Sequence, residues 1–210
     1  MIRALGPVLV GALYIGLALT EQGPLALRIA CKAVPVAALA AWVWTGPRSR
    51  LRDGVGVGLL FALAGDIVLD LPAAWSFLVG LALNLVAHIA YIVGFSGPPR
   101  RLGAGFALAA FGFVGGLIAF LWGGLGEMQL PVLAYATAIG AMIWRAGARA
   151  VDRAGWIGFF GAVGFAVCDS LIALDRFHAP IPGVALPIML SYWLGQWGIA
   201  ASARFSRPAG

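Results

Sequence analysis

The stretch Gly54–Leu71, GVGVGLLFALAGDIVLDL, decides the fold. It runs twelve residues without a polar side chain before it reaches Asp66, and it meets Asp70 one turn later. Its apolar residues do not alternate, so it is not a half-buried strand, and they leave no polar face, so it is not a surface helix. As a helix it is about 27 Å long at 1.5 Å per residue. That nearly matches the ~30 Å hydrocarbon core of a bilayer. Seven other stretches read the same way: Ala4–Thr20, Pro24–Trp44, Trp75–Phe95, Gly103–Gly123, Gln129–Trp144, Trp156–Leu174 and Ile181–Ala203. A β-barrel would need short alternating segments, which these are not.

The composition agrees. Of 210 residues, 62% are hydrophobic and 10% charged, whereas a soluble domain carries about 25% charged residues. A soluble enzyme and a disordered chain are both excluded. A nucleic-acid binder is excluded despite the net charge of +6, because the basic residues are scattered between apolar runs and form no basic face. The expectation is a single all-α transmembrane domain over residues 1–210, a polytopic bundle of eight helices. The 30 glycines suit helices that approach closely through small residues.

Arginines set the expected orientation. With the N-terminus in the cytoplasm, the inner elements carry Arg3, Arg48, Arg50, Arg52, Arg100, Arg101, Arg145, Arg149, Arg153, Arg204 and Arg207, eleven of the fourteen basic residues. The outer loops hold Glu21, Glu127, Asp175 and one arginine, Arg176. Both termini are then cytoplasmic, and a bacterial inner membrane is the expected location. Arg3 and the apolar run after it read as the first span and not as a cleaved leader. Cys31 and Cys168 fall within spans and read as free, buried thiols.

Ionisable groups inside a membrane are costly, and by default they point to function. Lys32 is expected about 12 Å below the outer surface by helical rise, with Arg28 one turn shallower. Asp66 and Asp169 are each expected about 7–8 Å deep by the same rise, and Asp70 lies further out. Asn84, His88 and Tyr91 share one stripe of the fourth span. Tyr135 projects from the sixth span, and Tyr192 and Gln196 from the eighth. Most of these groups fall in the outer half, as one polar chamber would require. Lys32 to Asp66 is 34 residues, as is Tyr135 to Asp169, and the segments Phe61–Asp66 and Phe165–Asp169 look alike. A repeat of two four-helix halves would bring both aspartates to one interface.

Each group also has a plainer reading. Asp66 and Asp169 can be structural anchors. Asp70 can be a solvated helix end. Lys32 can be a counter-charge to a carboxylate instead of a phosphate ligand. His88 can be a hydrogen-bonded core histidine; it has no His or Cys partner at ligand spacing, so no metal is expected. Asn84, Tyr135, Tyr192 and Gln196 can be interhelical hydrogen-bond glue. The arginine clusters read as topology determinants, and Trp42, Trp44, Trp75 and Trp156 as interface anchors. The chemical reading starts from two carboxyls at one depth. A low dielectric favours the neutral carboxyl, and a nearby cation the ionised one. Two aspartates in different surroundings can thus divide the roles of acid and base. Arg28 and Lys32 could hold a lipid phosphate.

Four segments, taken in order, carry a family resemblance. They are Leu60–Leu69 around Asp66, Gly80-x3-Asn84-x3-His88-x2-Tyr91, Cys168-Asp169-Ser170-Leu171, and Tyr192-Trp193-x2-Gln196. Together they resemble the YhhN/TMEM86 family, the lysoplasmalogenases, over nearly the whole chain and with the same eight-span plan. The family's lysine in the second span matches Lys32; the proline expected directly after it stands three residues on, at Pro35. The resemblance implies hydrolysis of the vinyl ether bond of a lysoplasmalogen drawn from the bilayer. The products would be a fatty aldehyde and glycerophospho-ethanolamine or -choline, and no cofactor would be needed. On that chemistry Asp66 and Asp169 share the catalytic roles. Lys32, Arg28, Asn84, His88, Tyr135, Tyr192, Gln196 and Asp70 would bind substrate.

Three other classes compete. A small transporter or flippase would use the Asp/Lys cluster as an ion relay. A lipid-binding protein would not turn anything over. An intramembrane aspartyl protease would carry Tyr-Asp and Gly-x-Gly-Asp motifs, whereas Leu63-Ala64-Gly65 precedes Asp66 and Cys168 precedes Asp169.

Overall fold

A computed structural model of the chain describes residues 24–97 and 101–206. Seven α-helices follow one another: α1 (Leu25–Trp44), α2 (Arg50–Leu69), α3 (Ser76–Phe95), α4 (Ala104–Leu121), α5 (Gln129–Ala148), α6 (Arg153–Phe177) and α7 (Ala185–Phe205). Two 3₁₀ turns, Trp122–Gly124 and Gly126–Met128, join α4 to α5. The expected span Ala4–Thr20 lies outside the described residues, as do Arg3, Arg100 and Arg207.

Several helix ends differ from the limits of the apolar runs, because capping decides them. α2 starts at Arg50, four residues before its apolar run, where Ser49 Oγ accepts the Arg52 N–H at 3.0 Å. α6 starts at Arg153 instead of Trp156, because Asp152 accepts the Gly155 N–H at 2.7 Å. It also continues to Phe177 and not only to Leu174. Asp66 therefore lies in the last turn of α2, while Asp169 sits two turns inside α6, further from its helix end than expected. α7 begins at Ala185 and not Ile181; the preceding turn carries Gly183 at φ 72°, in the left-handed region that glycine adopts without strain.

Five helical segments are long and apolar enough to cross a membrane: α1, α3, α6, α4 extended to Gly124, and α5 extended back to Gly126. Among the described helices, α2 and α7 fall short. α2 carries Arg50, Arg52, Asp53 and Asp66. α7 carries Ser191, Tyr192, Gln196 and Ser202. Asp66, Tyr192, Gln196 and Ser202 are buried in the bundle, whereas Arg50 and Asp53, in the first turn of α2, are exposed. The apolar residues face outward instead: Leu108 and Leu130 are 77% exposed and Leu194 66%. Water does not tolerate so continuous an apolar surface, and lipid does. The chain is an integral membrane protein.

Lipid is as apolar as leucine, so helix association rests on close packing. The two tightest pairs are α2 with α3 and α6 with α7, both antiparallel. In the first, a Cβ on Gly54 would fall 2.6 Å from the Cα of Gly94. In the second, a Cβ on Gly198 would fall 2.7 Å from the Cα of Gly161. α1 packs on α2 and α7, α5 on α3 and α6, and α4 lies outside, mainly on α5.

Most of the described arginines gather at one end; Arg28 and Arg176 stand at the other. Arg50 Nε donates to the Val93 carbonyl at 2.9 Å. Arg145 donates to Ser96 Oγ at 3.2 Å and to the Arg101 carbonyl at 3.1 Å. These bonds satisfy oxygens at or just beyond the C-terminus of α3. Lys32, Asp66, Ser76 and Asn84 are buried toward the other end, whereas Ser202, in the last turn of α7, is buried near the arginines.

Candidate active site

Side chains from α1, α2, α3, α5, α6 and α7 enclose a cavity of about 100 Å³. Lys32, Asp66, Asn84, Tyr135, Asp169 and Tyr192 form its polar wall. Phe77, Leu81, Val132, Phe165, Ile172 and Met189 are among the apolar lining. The cavity reaches Leu69 and Phe177, the last residues of α2 and α6, at the end opposite the arginines. There the Arg176 guanidinium lies 3.7 Å over the Phe77 ring.

Asp66 is 4% exposed and ends a hydrogen-bond chain. Tyr91 Oη donates to Gln196 Oε1 at 2.8 Å. Gln196 Nε2 donates to Tyr192 Oη at 3.2 Å. Tyr192 Oη donates to Asp66 Oδ2. Each donor points toward the carboxyl, so the chain delivers a fixed dipole to it. Lys32, Asp70 and Asp169 lie close enough to act on its charge.

Asp169 has different neighbours. Tyr135 Oη donates to its Oδ2 at 3.1 Å. His88 Nε2 stands 3.6 Å from the same oxygen. His88 Nδ1 lies 2.6 Å from the Asn84 carbonyl oxygen, so Nδ1 carries a proton and donates there. That leaves Nε2 facing the carboxyl. The imidazole is held edge-on between Tyr135, at a centroid distance of 5.0 Å, and Phe165, at 4.8 Å.

Six of the ten expected site residues thus share one wall. Three stand directly behind it: His88 against Asp169, Gln196 against Tyr192, and Asp70 against Lys32 at 3.2 Å. Arg28 is half-buried one turn from Lys32 and is not part of the wall. Tyr91, not among the expected site residues, begins the chain to Asp66; its signal was the i+3 and i+7 spacing from His88 and Asn84. Phe77, Phe165 and Phe177 carried no signal, because an aromatic residue in an apolar span looks like any other packing residue. Cys31 and Cys168 are both free and buried, and Cys168 lies against the cavity.

The Lys32–Asp70 pair yields a stability prediction. Breaking a buried pair from one side strands the other charge, at a cost of about 3–5 kcal/mol, while an apolar replacement of both partners is often neutral. Lys32→Met is expected to lower the melting temperature in detergent, and Lys32→Met with Asp70→Leu to recover most of the loss. A double variant as unstable as the single one would place the role of Lys32 elsewhere.

An apolar helical bundle that gathers two carboxyls on one cavity defines a class, the integral membrane proteins with an intramembrane polar site. The model of the YhhN family matches residues 27–203, and the chain belongs to that family. It is 33% identical over 177 residues to the human lysoplasmalogenase TMEM86B, covering 82% of this chain and 73% of that one. It is 31% identical over 189 residues to a lysoplasmalogenase of Mycobacterium tuberculosis, covering 86% and 72%. The human lysoplasmalogenase TMEM86A is 35% identical over 159 residues, covering 72% and 65%. No solved structure matches the chain.

Proposed function

We propose that the protein hydrolyses the vinyl ether bond of a lysoplasmalogen, releasing a fatty aldehyde and a glycerophospho-ethanolamine or -choline. The observation that carries this reading is the pair Asp66 and Asp169 on one small cavity, each with its own hydrogen-bond partners. The names of the relatives agree with it.

The chemistry follows from the bond. A carboxylic acid gives its proton to the β-carbon of the vinyl ether, and the π electrons form the new C–H bond. The ether oxygen shares the resulting positive charge as an oxocarbenium ion. The second, ionised carboxyl stabilises that cation and takes a proton from the water that adds to the α-carbon. The hemiacetal then collapses to aldehyde and alcohol, and the proton balance closes. Lys32 supplies positive charge for the phosphate end of the lipid.

Transport through the same cluster is the runner-up. Tyr91, Phe165, Leu59 and Met142 are fully buried in the core on the arginine side, and this filled layer favours the hydrolase. The test is aldehyde release from lysoplasmenyl-ethanolamine by the purified protein in detergent, with a saturated-ether lysolipid as the unreactive control. Vinyl-ether-dependent aldehyde is the expected result. Its absence from folded protein would overturn the reading.

The eight-span plan, with both termini cytoplasmic in a bacterial inner membrane, is part of the same proposal. The arginine end then faces the cytoplasm. The two tight pairs, α2/α3 and α6/α7, stand at corresponding places in a 4+4 repeat and support it. Glu127 is exposed in the turn between α4 and α5, near the opposite end. A Glu127→Cys variant, made with Cys31 and Cys168 replaced by serine, is expected to react with an impermeant maleimide added outside spheroplasts. Labelling only after lysis would reverse the orientation.

A further inference from the structure

A second hollow, about 40 Å³, lies between α4, α5 and α6. Val114, Leu117, Ile118, Ala136 and Ile139 are among its walls, and its outermost wall residue, Phe113, is 49% exposed on the outer face of α4. It is not separate from the carboxyl cavity. Val132, Tyr135, Asp169 and Ala173 line both, so the two meet at Asp169. The two differ sharply in chemistry. The first holds Lys32 and Asp66 and ends near Arg176. Apart from the shared Tyr135 and Asp169, the second offers only the hydroxyl of Ser170, which donates to the Ala166 carbonyl at 2.7 Å.

A single-chain lipid has the same division, a charged head and a hydrocarbon tail. We infer that the α4–α5–α6 hollow takes the hydrocarbon chain of the lysolipid, with the head group in the cavity beside Lys32. This rests on the hydrolase reading above and adds a direction to it. A vinyl ether stands where chain and head group join, and here that place is beside Asp169. The β-carbon is the chain-side carbon of the double bond, so the carboxyl next to the chain hollow is the one that reaches it. In this orientation the Asp169 carboxyl gives its proton to the β-carbon. Asp169 regains a proton from the hemiacetal O–H as that group becomes the aldehyde carbonyl, and His88 Nε2 faces the same carboxyl at 3.6 Å. Asp66, on the head-group side, takes the proton from the attacking water.

Chain-length preference tests the hollow. Ala136→Phe fills it, Ile118→Ala widens it, and Leu108→Phe, on the exposed face of α4, is the control. The purified full-length variants would be assayed for aldehyde release from lysoplasmenyl-ethanolamines of graded chain length and from the choline counterpart. Ala136→Phe is expected to shift the ratio of short-chain to long-chain turnover by about tenfold or more, the scale on which apolar pockets discriminate methylenes. Ile118→Ala should shift it the other way. The ethanolamine-to-choline ratio and the control should not move. If Ala136→Phe does not fold, Ile118→Ala still decides the question. Unchanged chain profiles in folded variants of an active enzyme would overturn the inference and leave the hydrolase reading intact.

If the wild type releases no aldehyde, the hydrolase reading fails by itself. The hollow is then tested by photolabelling with a saturated-ether lysolipid carrying a diazirine near the chain end. Label on α4 and α5 around Val114 and Ala136 supports it. Label elsewhere, or none, removes it.

Discussion

Asp66→Asn and Asp169→Asn are each expected to lower aldehyde release by about 10²–10⁴-fold, the usual weight of a positioned proton donor or acceptor. Asparagine is nearly isosteric with aspartate. At position 66 its amide oxygen still accepts from Tyr192, so the chain from Tyr91 through Gln196 can stay in place. At position 169 it still accepts from Tyr135. What each variant loses is the ability to carry or take a proton. Binding of the saturated-ether lysolipid, measured by titration in detergent, should therefore change little while kcat falls. The double variant should be scarcely worse than either single one, because groups that act as a unit are not additive. Full turnover in either folded single variant would remove that aspartate from the chemistry. Loss of lipid binding in step with kcat would return both to the role of structural anchors.

The second large effect concerns the fold. Gly161→Leu is expected to prevent recovery of monodisperse protein from detergent extracts, and Gly115→Leu to be indistinguishable from wild type. Both glycines lie within apolar helices, and no sequence pattern separates them. A Cβ on Gly161 would stand 2.6 Å from the Ile199 nitrogen and 2.8 Å from the Gly198 carbonyl carbon. These are backbone atoms that cannot turn aside. α6 and α7 would have to separate, which costs about 3 kcal/mol or more, at the upper end for overpacking. A Cβ on Gly115 meets nothing within 4 Å. Its added side chain would point into lipid. Size-exclusion profiles of the two variants decide the matter, and equal profiles would discard the packing argument.

The same division separates what could be read early from what could not. Asp66, Asp169 and Lys32 stood out because a charge in an apolar run is costly wherever the helix packs. The structure does bring them to one cavity wall. The partner of Lys32 was not legible. Asp70, read as either a solvated helix end or a substrate ligand, is the group it contacts. The limits of α2 and α6 followed Ser49 and Asp152 and not the apolar runs, so the two aspartates came out at different depths along their helices. α2 and α7 were read from the same apolar pattern as their neighbours. In the structure they are the helices with too much polar content for a span by composition alone; Asp66, Tyr192 and Gln196 are what they bring to the cavity, while Arg50, Arg52 and Asp53 stand at the opposite end of α2.

The amino-acid sequence by itself determined the solvent and the secondary structure. With so few charges and such long apolar runs, lipid is the only medium that satisfies the side chains, and in lipid these runs must be helices, because the backbone has no water to bond with. It also singled out the charged groups whose place in an apolar helix is costly. Only the tertiary structure decided which of those groups meet: Tyr192 with Asp66, His88 with Asp169, and the α4–α5–α6 hollow with the carboxyl cavity. The physical reason is that lipid contacts treat all apolar faces alike. The rotation of each helix about its axis is left to close packing at a few glycines and to the pairing of buried polar groups, and both depend on residues far apart in the chain.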